Sequence, residues 1–237
     1  MRVIQEFLES GVQALFENCP THPSINTDLR VTYTASGPEV VFGGNSAVGF
    51  DIHLTAENNH WCQHLYQFAH EACHVLAQFQ QHIHSNQWIE ECLCETASMF
   101  ACQRMANSGK LNQGPCAKLT TGEIPPRPYW KALQEYLDNL LTDPARQFTG
   151  FSMQQWFRQQ ETILRTNPYR RDLNELFANK LYAHLISHPN DWAAVEFLNT
   201  SPCGSTDDAL STYLRRWRAA TPKLHRSLVD FVEGCLL

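Results

Sequence analysis

A chain of 237 residues, 43% of them hydrophobic, is long enough to bury a sizeable core without disulfide or metal staples. Its formal net charge of -6, with no Lys/Arg block, argues against a nucleic-acid partner. No apolar run reaches the roughly 18 residues that a membrane-spanning helix requires, so no membrane partner is expected.

The first segment, MRVIQEFLESGVQALFENCP, sets Glu6, Glu9 and Glu17 among Val3, Ile4, Phe7, Leu8, Val12 and Leu15. That is the pattern of an amphipathic helix and not of a signal peptide. The nine cysteines are odd in number and lack a framework spacing. Cys62, Cys73, Cys92, Cys94 and Cys102 fall within helical patterns, as small buried residues do. Together these features predict a reducing compartment, with the cytoplasm as the default.

Residues 29–34 and 39–42 read as strands joined by a turn at Ser36, Gly37 and Pro38. A further turn is expected at GGNS (43–46) and a third strand at 48–55. Asn58 and Asn59 offer an N-cap for a helix running to about residue 82, and a second helix is expected over 87–106. Residues 107–128, rich in Gly, Pro, Ser and Thr, read as a linker or lid. Helices are then expected at 129–142, 152–165, 170–187, 190–199, 206–219 and 222–233. Ser152, Asn190 and Ser205 are candidate N-caps, and Pro222 suits a first helical position. The layout is α+β with helix dominant. A core over 1–106 carries the sheet and two chemically interesting helices, and a helical half over 129–237 completes it.

The chemistry concentrates in QFAHEACHVLAQF (67–79). At about 100° per residue, His60, His64, Gln67, His70, Glu71 and His74 share one helix face. Leu65, Phe68, Ala69, Ala72, Cys73, Val75 and Leu76 occupy the other, which makes Cys73 a core residue. The motif follows an edge-strand pattern. His70 and His74 lie one turn apart and can reach one metal ion. Glu71 flanks them and can approach a water at that ion without filling a coordination position. His60 and His64 sit farther along the same stripe and read as surface histidines. His82 and His84 read as solvent-exposed.

A catalytic zinc takes three protein ligands and leaves one position open. The next helix offers QWIEECLCETASMF (87–100), with Glu91 and Glu95 one turn apart amid Trp88, Ile89, Leu93, Met99 and Phe100. Carboxylates in such surroundings are costly unless satisfied, and a metal with its histidines would satisfy them. Glu91 is the expected ligand and Glu90 the alternative. Glu95 is placed to accept the outer N–H of a ligand histidine.

Together, HEACH (70–74) and WIEECLCE (88–95) resemble the gluzincin metallopeptidases, the clan of thermolysin and the aminopeptidase-N-like enzymes. The resemblance covers about residues 48–100, and sixteen residues separate His74 from Glu91. It implies a zincin-like core with zinc held by His70, His74 and Glu91. It also implies Glu71 as general base and Glu95 as the supporting carboxylate. The aminopeptidase segment that grips a free amine has no counterpart in FGGNSAVGF (42–50), so that specificity is not implied.

The expected activity is hydrolysis of a peptide or protein substrate. Zinc would activate water, and Glu71 would carry its proton to the leaving nitrogen. Tyr169, after Asn167 and Pro168, is the candidate donor to the oxyanion, with Tyr182 and His184 as alternatives. DWAAVEFLN (191–199) reads as core. The competing expectation is a gluzincin-shaped zinc-binding or scaffold protein without turnover.

Overall fold

The computed structural model describes residues 28–41, 49–56, 60–78, 84–120, 125–150, 152–200 and 207–237, together with residues 7, 8, 10, 11, 13, 15, 17 and 19. The turn at 43–46, the Asn58 and Asn59 cap, His82 and the Ser205 cap lie outside these residues. So does most of the N-terminal helix, although Phe7, Leu8 and Leu15 from it are buried in the core.

Three strands form the sheet: β1 (Asp28–Tyr33), β2 (Glu39–Val41) and β3 (Gly49–Leu54). The turn at 36–38 links β1 to β2, yet the two do not pair. The order is β1-β3-β2, with β3 parallel to β1 and antiparallel to β2. β3 is therefore central, not an edge, and its Ile52 and Leu54 are fully buried. β1 and β2 are the edge strands, and Val40 of β2 pairs with Ile52.

The helices dominate. α1 is Trp61–Leu76, α2 Trp88–Lys110, α3 Tyr129–Thr142, α4 Met153–Thr166, α5 Arg171–Ser187, α6 Leu210–Ala220 and α7 Ser227–Leu236. α1 ends well short of residue 82, because Gln78 takes a left-handed φ of 54° and turns the chain away. α4 starts as expected. Ser152 accepts from the Gln155 backbone N–H, and the Gln155 side chain accepts from the Ser152 N–H. Segment 190–199 departs from expectation, since Pro189–Phe197 winds as a 3-10 helix preceded by His188 rather than capped by Asn190. The last predicted helix divides into a 3-10 turn, Lys223–His225, and α7. Pro222 precedes that turn instead of opening a helix.

Every residue over 88–102 is buried, so α2 runs through the middle of the molecule. α1, α3 and α5 pack around it. Trp88 stacks on Phe157 at 5.6 Å, and Phe100 meets Trp192 edge-on at 5.3 Å. The Ser98 hydroxyl donates to the Tyr66 carbonyl at 2.7 Å, a bond that sets α1 against α2. α2 also extends four residues into the segment read as a linker. There a Cβ on Gly109 would lie 2.6 Å from Cβ of Trp130 and 2.9 Å from Cβ of Cys116, so only glycine lets α3 approach. No helix among the described residues is long and apolar enough to cross a membrane.

Candidate metal centre

Most of the histidine stripe of α1 is covered by neighbouring elements rather than by solvent. His64, Glu71 and His74 are all buried, and the Tyr33 ring meets His64 edge-on at 5.3 Å. The surface reading of His64 is thus corrected: the sheet covers that end of the stripe. His60 is exposed. His84 is buried rather than solvent-exposed, beside Tyr213 with ring centroids 5.2 Å apart. Cys73 is fully buried in the core.

His70 and His74 stand one turn apart with ring centroids 5.2 Å from each other. Nε2 of His70 lies 3.4 Å from Glu91 Oε2, and Nε2 of His74 lies 3.7 Å from Glu91 Oε1. Donors arranged tetrahedrally at about 2.0–2.1 Å from one ion sit about 3.3 Å apart. The two imidazoles thus flank the Glu91 carboxylate, each nearest a different oxygen, and two imidazoles with one carboxylate are donor types that suit a divalent metal. His70, His74 and Cys94 also bring one donor atom each within 4.8 Å of one another, a grouping that can hold a metal ion. The Cys94 thiol is held well above its ordinary pKa by burial first, then by a hydrogen bond with Cys73 and the charges of Glu90 and Glu91. It therefore stays protonated in the metal-free protein, whereas a ligand sulfur must be thiolate.

The carboxylate that orients a ring is Glu90. Its Oε1 lies 2.7 Å from His74 Nδ1, and its Oε2 accepts from Asn199 Nδ2 at 2.7 Å. With Nδ1 so engaged, Nε2 of His74 is the nitrogen left toward Glu91. Sequence reasoning gave the orienting role to Glu95 and kept Glu90 as a spare ligand. Asn199 it passed over entirely, as the last residue of a segment read as core.

Glu95 points elsewhere. It accepts from the Tyr66 hydroxyl and pairs with Arg171 Nε at 3.3 Å. Burial, then the Glu95 charge, holds the Tyr66 pKa well up, so the hydroxyl keeps its proton. Buried Arg146 pairs with Glu175 and lies 3.5 Å from the Tyr66 oxygen. No motif announced Tyr66, Arg146 or Arg171, because they come from three separated segments.

Electrostatics bind the centre together. Burial pulls His70 down, but the Glu91 hydrogen bond and the charges of Glu71, Glu95 and Glu91 prevail and raise it to about 9. Burial likewise opposes the charged form of Glu91, and the hydrogen bond from His70 with the charges of both histidines overrides it, leaving its pKa below the usual value. Glu71 goes the other way. Burial, with the Glu91 charge, raises its pKa against the pull of His70, His74 and the Val40 backbone N–H. A carboxylate with a raised pKa beside two histidines is suited to taking up a proton.

The centre opens into a cleft of two connected arms. One, of about 550 Å³, is lined by Gln67, His70, Glu71, Glu91, Glu95 and Arg171 among others. The other, of about 320 Å³, shares His70, Glu71 and Glu91 and adds His74, Gln87, Glu39 and Val40. Tyr169 lines both arms, is 57% exposed, and accepts from Gln87 Nε2 at 3.3 Å. Tyr182 and His184 line neither. Tyr182 donates to Gln103 at 3.0 Å, and His184 lies 2.7 Å from Asp191. None of the described residues of 107–128 lines either arm. No family model, curated protein or solved structure matches the chain.

Proposed function

We propose that this chain is a zinc-dependent hydrolase, a metallopeptidase of gluzincin type with a zincin-like core. His70, His74 and Glu91 hold the metal, and Glu71 is the general base. The observation that carries the reading is the convergence of both Nε2 atoms on the Glu91 carboxylate, at 3.4 and 3.7 Å, with Glu71 in the same cleft. Zinc supplies Lewis acidity toward a carbonyl and acidifies water. Glu71 accepts a proton from the attacking water and returns it to the leaving nitrogen. The Tyr169 hydroxyl, at the cleft rim, donates to the oxyanion. The edge of β2 lines the cleft through Glu39 and Val40, where an extended peptide gains backbone hydrogen bonds. The described cysteines are free, in keeping with a reducing compartment such as the cytoplasm.

The test is elemental analysis of protein purified without added metal, followed by a broad peptide library. Turnover should vanish on chelation and return with zinc. A full complement of zinc with no cleaved peptide would reject the peptidase.

The His70, His74 and Cys94 grouping favours a second reading. With one further donor it would close a four-coordinate site, as in structural zinc, and the protein is then a binding or scaffold protein. X-ray absorption separates the two, because a sulfur ligand at about 2.3 Å belongs to the closed site alone.

A further inference from the structure

The larger arm of the cleft holds a cation that the proposed hydrolysis does not use. Arg171 spends its Nε on Glu175 at 2.9 Å and on Glu95 at 3.3 Å. Neither of its Nη nitrogens makes a hydrogen bond to the described residues, and its side chain is 65% exposed where it lines the arm. The two carboxylates pin the guanidinium and leave the two-pronged edge that recognises a carboxylate.

The direction of β2 says which end of a peptide meets that edge. Pro38 lines both arms, whereas Glu39 and Val40 line only the arm that contains His74. The strand thus runs from the Arg171 arm toward the His74 arm. A peptide paired antiparallel to it, the more stable pairing, runs the opposite way. Its C-terminal side then enters the Arg171 arm. Glu95 lies one helical turn beyond Glu91, about 6 Å along the axis, and Arg171 touches Glu95. An extended chain advances about 3.3 Å per residue. The guanidinium is therefore within a few residues of a bond held at the metal.

We propose that Arg171 binds a carboxylate on the leaving-group side of the substrate, either the α-carboxylate of a short peptide or an acidic side chain near the scissile bond. This rests on the hydrolase reading for the placement of the scissile bond. The anion reaches the guanidinium without unburying it, and the neighbouring Glu95 and Glu175 hold the fork still at no further entropic cost to the ligand.

The experiment measures binding to zinc-loaded Glu71→Gln protein, with and without Arg171→Gln, so that turnover does not enter. The probes are N-acetylated tri- to pentapeptides, each made as the free acid, as the C-terminal amide, and as an amide with glutamate in one of its last two positions. The free acid or the glutamate amide should bind about tenfold or more tightly than the plain amide, the scale of a charge-assisted pair. That preference should disappear in Arg171→Gln. Whichever acidic probe carries it names the source of the carboxylate. If Arg171 merely braces Glu95 and Glu175, the variant weakens acid and amide alike, and the proposal fails. No binding by any probe overturns it as well. Selective binding of the acids by a wild-type protein that cleaves nothing would instead remove the hydrolase reading and leave the Arg171 site in place.

Discussion

Nδ1 of His74 lies 2.7 Å from Oε1 of Glu90, and that bond decides which ring nitrogen His74 offers to the centre. Loss of such an orienting carboxylate costs about 10–100-fold in metal affinity. Glu90→Gln should weaken zinc binding by that amount in competition with a chromophoric chelator. Glu91→Ala, which removes a donor, should weaken it further. The opposite ranking would exchange their roles.

Glu71→Gln should keep close to one equivalent of zinc and lose hydrolysis by about 10²-fold or more, the usual scale for a general base. The glutamine preserves volume but cannot take up a proton. Undiminished turnover by this variant would remove Glu71 from the mechanism.

In the metal-free protein His70 has its pKa raised to about 9, and His74 is also raised, its burial outweighed by Glu90 and Glu91. A raised histidine pKa stabilises the metal-free fold fully below the unfolded value of about 6.5. That contribution is lost as pH climbs through about 9. Metal needs the neutral ring, so zinc and protons compete. Affinity should rise with pH up to about 9, and binding near neutrality should release protons. Titration calorimetry in buffers of different ionisation enthalpy measures the release. A buffer-independent heat would contradict it.

Gly109→Ala should destabilise the protein by about 1–3 kcal/mol, the range for overpacking a tight contact. Its new methyl would sit 2.6 Å from Cβ of Trp130, at a contact with no access to the cleft. Thermal unfolding should register the loss while zinc stoichiometry stays the same. A variant that melts with wild type would show that α2 and α3 separate freely here.

Local periodicity was enough to read the helices that carry the centre. His70 and His74 recur at one helical turn, as do Glu91 and Glu95, and these spacings depend only on backbone geometry. For the same reason α3, α4 and α5 lie within about a residue or so of their expected bounds. Fold and site diverged from expectation wherever distant segments meet. The turn at 36–38 spoke for neighbouring strands, yet β3 inserts between β1 and β2, because the pairing that buries Ile52 and Leu54 is chosen by the whole core. His64 and His84 carry polar side chains that spacing alone assigned to solvent, and the sheet in one case and Tyr213 in the other cover them. Adjacent carboxylates are about 100° apart on a helix, so the sequence defines their separation but not which one faces a histidine. Packing of α1 on α2, held by Ser98 and Tyr66, decided that: Glu91 meets both Nε2 atoms, Glu90 meets Nδ1 of His74, and Glu95 is left to Tyr66 and Arg171.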